Sequence, residues 1–263
     1  MSPPASLPEP STAGGATHDE GLDLRPLTAR SVILSLLLGS HPPRLPVSAL
    51  VRTADLFGIS DGTLRVALSR MAAEGDVRSD QGVYELSDRL VERQRRQDED
   101  RQPPTKSWNG SWEMAVIRPG LRPGSPGPEA SAELRMAEMA SGVWTRPENL
   151  VRPWSSELRA RFWRLTTRPD DEPAALVAEL WDLRAWAEQG RSLLAAMSRS
   201  ADPARRFTIA AAILRHLRRD PLLPDELLPR DWPGDGLREG YRGFEAELTS
   251  ILRDAREPRR HDS

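Results

Sequence analysis

The chain has 263 residues, 38% hydrophobic and 29% charged, with a formal net charge of -2. That length argues for two or three packed units, and the near-neutral balance excludes a global attraction to nucleic acid or membrane, so any basic footprint must be local. With no cysteine, disulfides, thiolate zinc sites and a cysteine nucleophile are excluded.

The opening MSPPASLPEPSTAGGATHDEGLDLRP has neither a basic n-region nor an apolar h-region, so it does not read as a secretory signal; residues 1–27 are expected to be a disordered tail. The longest apolar run, VILSLLLG after Ser31, is far short of the roughly 20 residues of a membrane span. A cytoplasmic location without membrane contact is the expectation. Lys106 is the sole lysine, a composition bias that also happens to favour the better phosphate and guanine ligand.

Thr28 is placed to cap a helix through RSVILSLLLG that Gly39 ends, and HPPRLP is expected to be a rigid loop. A second helix follows Pro46, with Val47, Leu50, Val51, Ala54 and Phe57 at helical spacing and Gly58 closing it. Within the stretch GISDGTLRVALSRMAAEGDV, Ser60 then caps a third helix, Asp61 to Glu74, and two helices joined this tightly form a helix-turn-helix pattern.

At about 100° per residue, Leu64, Ala67, Leu68 and Met71 fall in one arc of that third helix and face its neighbours. Gly62, Arg65, Val66, Ser69, Arg70 and Ala73 lie outward or on the flanks. Such a slim face suits a major groove, where Arg takes guanine O6 and N7 or a phosphate and Val or Thr meets a thymine methyl. Next, Asp76 to Arg78 and Val83 to Leu86 are β-prone and flank Asp80-Gln81-Gly82, a hairpin that in this position is a wing. The expected DNA-binding set is Ser60, Thr63, Arg65, Val66, Ser69, Arg70, Arg78 and Gln81, and the competing reading is an ordinary solvent face.

Charge complicates this. Over residues 28–90, Arg30, Arg44, Arg52, Arg65, Arg70, Arg78 and Arg89 are matched by Asp55, Asp61, Glu74, Asp76, Asp80, Glu85 and Asp88. A neutral module binds phosphate only if its charges are sorted by face, and Asp80 at the wing tip opposes that.

Residues 91–107 read as a short helix fading into a linker, whose Arg93, Arg95 and Arg96 are either backbone contacts or a solvated helix end. From Trp108, WNGSWEMAVI suits a strand, PGLRPGSPGP a loop, ASAELRMAEMA a helix, GVWTRPENL one or two short strands and ELRARFWRLTT another strand. That order suggests a ferredoxin-like unit over 108–180. The remainder, 181–256, is helical around the turn DPLLPDELLPRDWPG, whose prolines forbid a continuing helix; 257–263 is a tail.

FGISDGTLRVALSRMAAEGDV together with RHLRRDPLLPDELLPRDWPG resembles the PaaX-type family of bacterial transcriptional repressors of phenylacetic acid degradation. The resemblance extends from Arg30 to about Ala255, including ELWDL at Glu179 to Leu183, and departs in the shorter middle region at PGLRPGSPGP. It implies a mainly α, α+β fold: a winged helix-turn-helix, a ferredoxin-like middle domain and a helical C-terminal domain. It further implies a homodimer on palindromic operator DNA, released by an aryl-coenzyme A thioester.

For such an effector, Arg159, Arg161 and Trp163 share one face of the expected strand and suit phosphates and adenine; the competing reading is an exposed strand ladder. No resident cofactor or metal is expected, because His18, His41, His216 and His261 are scattered. A metal-dependent nuclease wants an acid at the end of the first middle strand, where Arg118 stands. A helical adaptor using the winged unit for protein contacts is the remaining alternative to a DNA-binding regulator.

Overall fold

The computed structural model describes residues 22, 24–25, 27–92, 95, 104–120 and 134–256, with side chains to residue 253. The expected N-terminal tail to residue 21, the linker stretch with Arg93 and Arg96, the loop over 121–128, the start of the helix over 130–133 and the C-terminal tail lie outside the described residues. What is described is a mixed α+β fold in which helices predominate and two small sheets are antiparallel.

The N-terminal head starts with α1 (Ala29–Leu38), capped reciprocally by the Thr28 and Ser31 hydroxyls. It continues through β1 (Arg44–Pro46), α2 (Val47–Asp55), α3 (Asp61–Ala73), β2 (Val77–Asp80) and β3 (Val83–Leu86). Val32, Ile33, Leu36 and Leu37 of α1 meet Leu50 and Ala54 of α2 and Leu64, Leu68 and Met71 of α3, all fully buried. Burial of this kind contributes about 1.5–3 kcal/mol per large side chain.

Two expectations change here. HPPRLP is not all loop: Arg44–Pro46 pairs antiparallel with Val83–Glu85, giving a three-stranded sheet of order β1-β3-β2. Three residues bounded by prolines are too few to show a strand's alternation. The first hairpin strand also ends two residues later than expected, at Asp80 opposite Val83, while the second is Val83–Leu86 as expected. The turn is then Gln81-Gly82 alone, at φ 46° and 78°, the doubly left-handed geometry whose twist suits a two-residue hairpin.

The middle sheet comprises β4 (Trp112–Ile117), β5 (Ala137–Ala140), β6 (Val143–Pro147) and β7 (Phe162–Thr167) in the order β5-β6-β4-β7, with every neighbouring pair antiparallel. Helix α4 (Ser156–Arg161) precedes β7 and buries Leu158 among Trp144, Trp154 and Phe162. The expected helix over Ala137–Ala140 is therefore a strand. Ala, Glu and Met are good helix formers, but intrinsic propensity is a small term per residue, and backbone pairing with β6 outweighs it.

The C-terminal part consists of α5 (Pro173–Leu180), α6 (Leu183–Arg199), α7 (Pro203–Leu217), a 3-10 turn at Asp225–Leu227 and α8 (Gly234–Arg256). At ELWDL, α5 ends before Trp181, after which Asp182 caps α6 by accepting from the Ala185 amide at 2.9 Å. The head and these helices share one apolar cluster: Phe57, in the turn just after α2, lies 4.9 Å from Phe207 of α7, which meets Phe244 of α8 edge-on at 5.8 Å.

Candidate nucleic-acid interface

Helix α3 begins where the chain reverses at Gly58, φ 69°, a conformation only glycine adopts without cost. Ser60 Oγ accepts from the Thr63 amide at 3.3 Å and lies 2.9 Å from the Thr63 hydroxyl. From that fixed start the apolar arc turns inward. Ser60, Thr63, Arg65, Val66, Ser69 and Arg70 are all exposed, Val66 to 54%, while Leu64, Leu68 and Met71 show no accessible surface. A β-branched side chain left half bare on a helix otherwise lined by hydroxyls and guanidinium groups is available for a base methyl.

The hairpin stands beside this helix. Arg78 and Gln81 are exposed, and the Val47 amide donates to Gly82 O at 2.8 Å, which ties the hairpin tip to the start of α2. Arg78 forms an ion pair with Asp88 at 2.9 Å, and Arg65 pairs with Asp61, its Nε 2.7 Å from Oδ1.

The charges of the head are partly sorted. Asp76, its side chain 2% exposed, accepts from both Arg30 and Arg89, and Arg30 also reaches Glu74 at 2.5 Å. These ion pairs occupy the α1 side of the head. Arg52 and Arg70 have no ion-pair partner among the described residues and remain available to an incoming anion. The role of Asp61 was open to sequence reasoning through its four-residue spacing from Arg65, an ordinary helix pair; the buried Asp76 clamp had no such local signal.

The expected effector set is not brought together on a strand. Ser155 caps a short helix by accepting from the Leu158 amide at 3.2 Å, so Arg159 and Arg161 lie in the last turn of α4 and only Trp163 is on β7. A two-residue period therefore does not place the three on one face. Trp163 is 44% exposed and carries the Arg118 guanidinium 5.8 Å from its ring, while Arg161 lies over Phe162 at 5.7 Å. Among the described residues no group of three or more His, Asp or Glu side chains is placed to hold a metal ion, and no helix is long and apolar enough to cross a membrane.

A buried joint connects the middle sheet to the proline-rich turn. Arg146 of β6 donates to Pro147 O at 3.0 Å, Leu134 O at 3.2 Å, Asn149 Oδ1 at 2.7 Å and Leu222 O at 3.4 Å. Burial is the main cause that lowers its pKa to about 9, with Glu113 opposing and Arg135 and Arg152 adding, so it stays a cation at neutral pH. Arg135 donates to the carbonyls of Leu217, Arg218 and Asp220, and buried Asp220 accepts from Arg238 at 2.5 Å.

Behind the turn, Trp186 is stacked between His216 and Trp232, each at 4.2 Å, and His216 Nε2 lies 3.0 Å from Trp186 O. Burial pushes the His216 pKa below its ordinary value, against opposition from its backbone hydrogen bond and Asp220, while Arg219 adds slightly. The unfolded chain then binds a proton near pH 6.5 that the folded chain resists. Stability from this stack is whole above that pH and fades as pH falls through the lowered folded value. Thermal melts between pH 7.5 and 5 should show this decline, and His216→Phe should flatten it.

The described architecture is thus a small helical head with a hairpin, an antiparallel sheet and a helical C-terminal part. Two family models match it: PaaX-like protein over residues 28–90 and PaaX-like protein C-terminal domain over residues 178–253. The solved structure of the uncharacterized protein Rv0674 from Mycobacterium tuberculosis is 43% identical, with a TM-score of 0.77 over 88% of this chain and 99% of that one. No curated protein matches the chain. The chain belongs to the PaaX-like family, whose members are in general transcriptional regulators.

Proposed function

We propose that this protein is a DNA-binding transcriptional repressor whose head is a winged helix-turn-helix, with α3 in the major groove and the β2–β3 hairpin as the wing. The observation that carries the reading is the division of α3: Leu64, Leu68 and Met71 are buried while Thr63, Arg65, Val66, Ser69 and Arg70 are bare. A helix needs no such guanidinium-bearing side for its own packing, and family membership supplies independent support.

In this reading the middle unit is ferredoxin-like, supported by a sheet order that puts its first strand between the third and fourth. The protein acts as a homodimer, so that two α3 helices reach half-sites about 34 Å apart on one face of the duplex. An acyl-coenzyme A type effector releases it by binding the DNA-incompetent arrangement more tightly, since only differential affinity shifts such a balance. Effector binding is checked by calorimetry with phenylacetyl-coenzyme A, and dimerisation by light scattering on the eluted full chain.

The DNA reading is tested with Arg65→Ala and Arg70→Ala. A base-reading arginine should cost about 1–3 kcal/mol of specific binding when removed and relax preference at one position, whereas a phosphate contact should weaken all sequences alike and lower the salt slope by about one. Mobility-shift titrations at several salt concentrations separate these outcomes, and salt-independent binding in the wild-type chain would reject a nucleic-acid interface.

A further inference from the structure

Asp61 is an acid exposed at the start of the very helix that is read above as entering DNA. It is not needed as a cap, because Ser60 already accepts from the Thr63 amide. Nor does it help the surface attract phosphate. Its carboxylate instead holds Arg65 by Nε at 2.7 Å, with the two side chains 53% and 58% exposed.

We propose that Asp61 is a positioning residue that makes Arg65 a reader of guanine; the inference rests on the DNA-binding reading and deepens it. A guanidinium is planar and carries its donors in a fixed fork. A carboxylate on Nε sets the plane and leaves both terminal nitrogens free, the pair of donors that guanine O6 and N7 accept together. The first residues of a recognition helix are those that meet base edges, and Arg65 lies one turn inside the Ser60 cap. The ion pair is electrically neutral, so Arg65 adds little to the attraction for phosphate that any sequence offers. Its contribution is therefore directional, and Asp61 lowers affinity for random DNA while sharpening the choice of base.

The experiment uses the full chain and the duplex it enriches from a randomised pool, together with a partner duplex changed at the base pair whose preference Arg65→Ala erases. Affinities for both are measured with the wild type, Asp61→Asn, Arg65→Ala and the double variant, alongside melting temperatures. Asp61→Asn is expected to lose most of the discrimination, about 5- to 150-fold for one bidentate contact. It should also bind random-sequence DNA more tightly than the wild type does. The double variant should discriminate no worse than Arg65→Ala alone. Unchanged discrimination in Asp61→Asn, losses that multiply in the double variant, or a change confined to melting temperature would overturn the positioning role alone. A wild-type chain that enriches no duplex overturns the DNA reading and this inference with it.

Discussion

Replacing Phe207 by alanine is expected to destabilise the protein by about 3–5 kcal/mol, the usual cost of deleting a buried aromatic ring. Its effect should also reach the head. Phe207 is 3% exposed, lies in α7, and is flanked by Phe57 at 4.9 Å and Phe244 at 5.8 Å, so its removal opens a cavity between segments more than a hundred residues apart in sequence. Because the apolar cluster runs without interruption from Val32 through Phe57 and Phe207 to Leu252, the head and the C-terminal helices are expected to unfold together. Hydrogen exchange is the suitable probe, since the eight tryptophans all lie at Trp108 or beyond and fluorescence does not report on the head. Amides of α2 should lose protection in parallel with those of α7 in Phe207→Ala. Full protection of α2 beside a weakened α7 would show two independent cores.

The shared core also fixes the head relative to the C-terminal helices. A head packed this way onto α7 and α8 is not free to swivel on a linker, and α3 is held with them in one apolar cluster. The middle sheet meets the C-terminal part through both kinds of contact: Trp112 of β4 packs in an apolar cluster with Val177 and Leu223, its ring 6.4 Å from that of Trp181, while Arg146 donates to Leu222 O and Arg135 to the carbonyls of Leu217 and Asp220.

Much of the head was legible because its signals are local. Thr28, Gly58 and Ser60 mark helix ends through their own backbone and hydroxyl chemistry, and Leu64, Leu68 and Met71 mark a face through a period that needs no partner. Gln81-Gly82 likewise carries its turn in its own dihedrals. The middle unit was less legible, for two reasons. Arg44–Pro46 and Ala137–Ala140 become strands only through neighbours distant in sequence. In SSELRARFWRLTT a helix and a strand abut without a turn between them; the cue was Ser155 followed by an acid, which outranks the apparent alternation of Leu158, Ala160 and Phe162. Arg135 and Arg146 were invisible for a third reason. Buried arginines follow no period, and in a chain whose basic residues are almost all arginine their presence is no signal.

Arg146→Met should therefore be among the most damaging substitutions even though methionine fills a similar volume. Removing the guanidinium leaves Pro147 O, Leu134 O, Leu222 O and Asn149 Oδ1 short of donors in a region closed to water. Each orphaned buried acceptor costs about 1–3 kcal/mol. Some recover: Leu222 O keeps the Asn149 amide at 3.0 Å, and cross-strand Glu113 keeps Arg164 and the Trp154 indole at 2.5 and 2.7 Å. The net loss is expected to be about 3–5 kcal/mol, the range for one partner removed from a buried charged cluster. Arg146→Lys restores the charge but not the fork; a single ammonium cannot span acceptors that the planar group meets along two edges, so it should recover less than half. Leu222 makes the test specific, because its left-handed φ of 53° is a strained position for leucine, held by these bonds and by its own amide on Asp220. Denaturant titration should give the loss, and fluorescence of Trp232 and Trp186, stacked beyond this turn, should report its release before global unfolding. A melting curve for Arg146→Met that overlays the wild type would mean the turn holds its shape without the sheet.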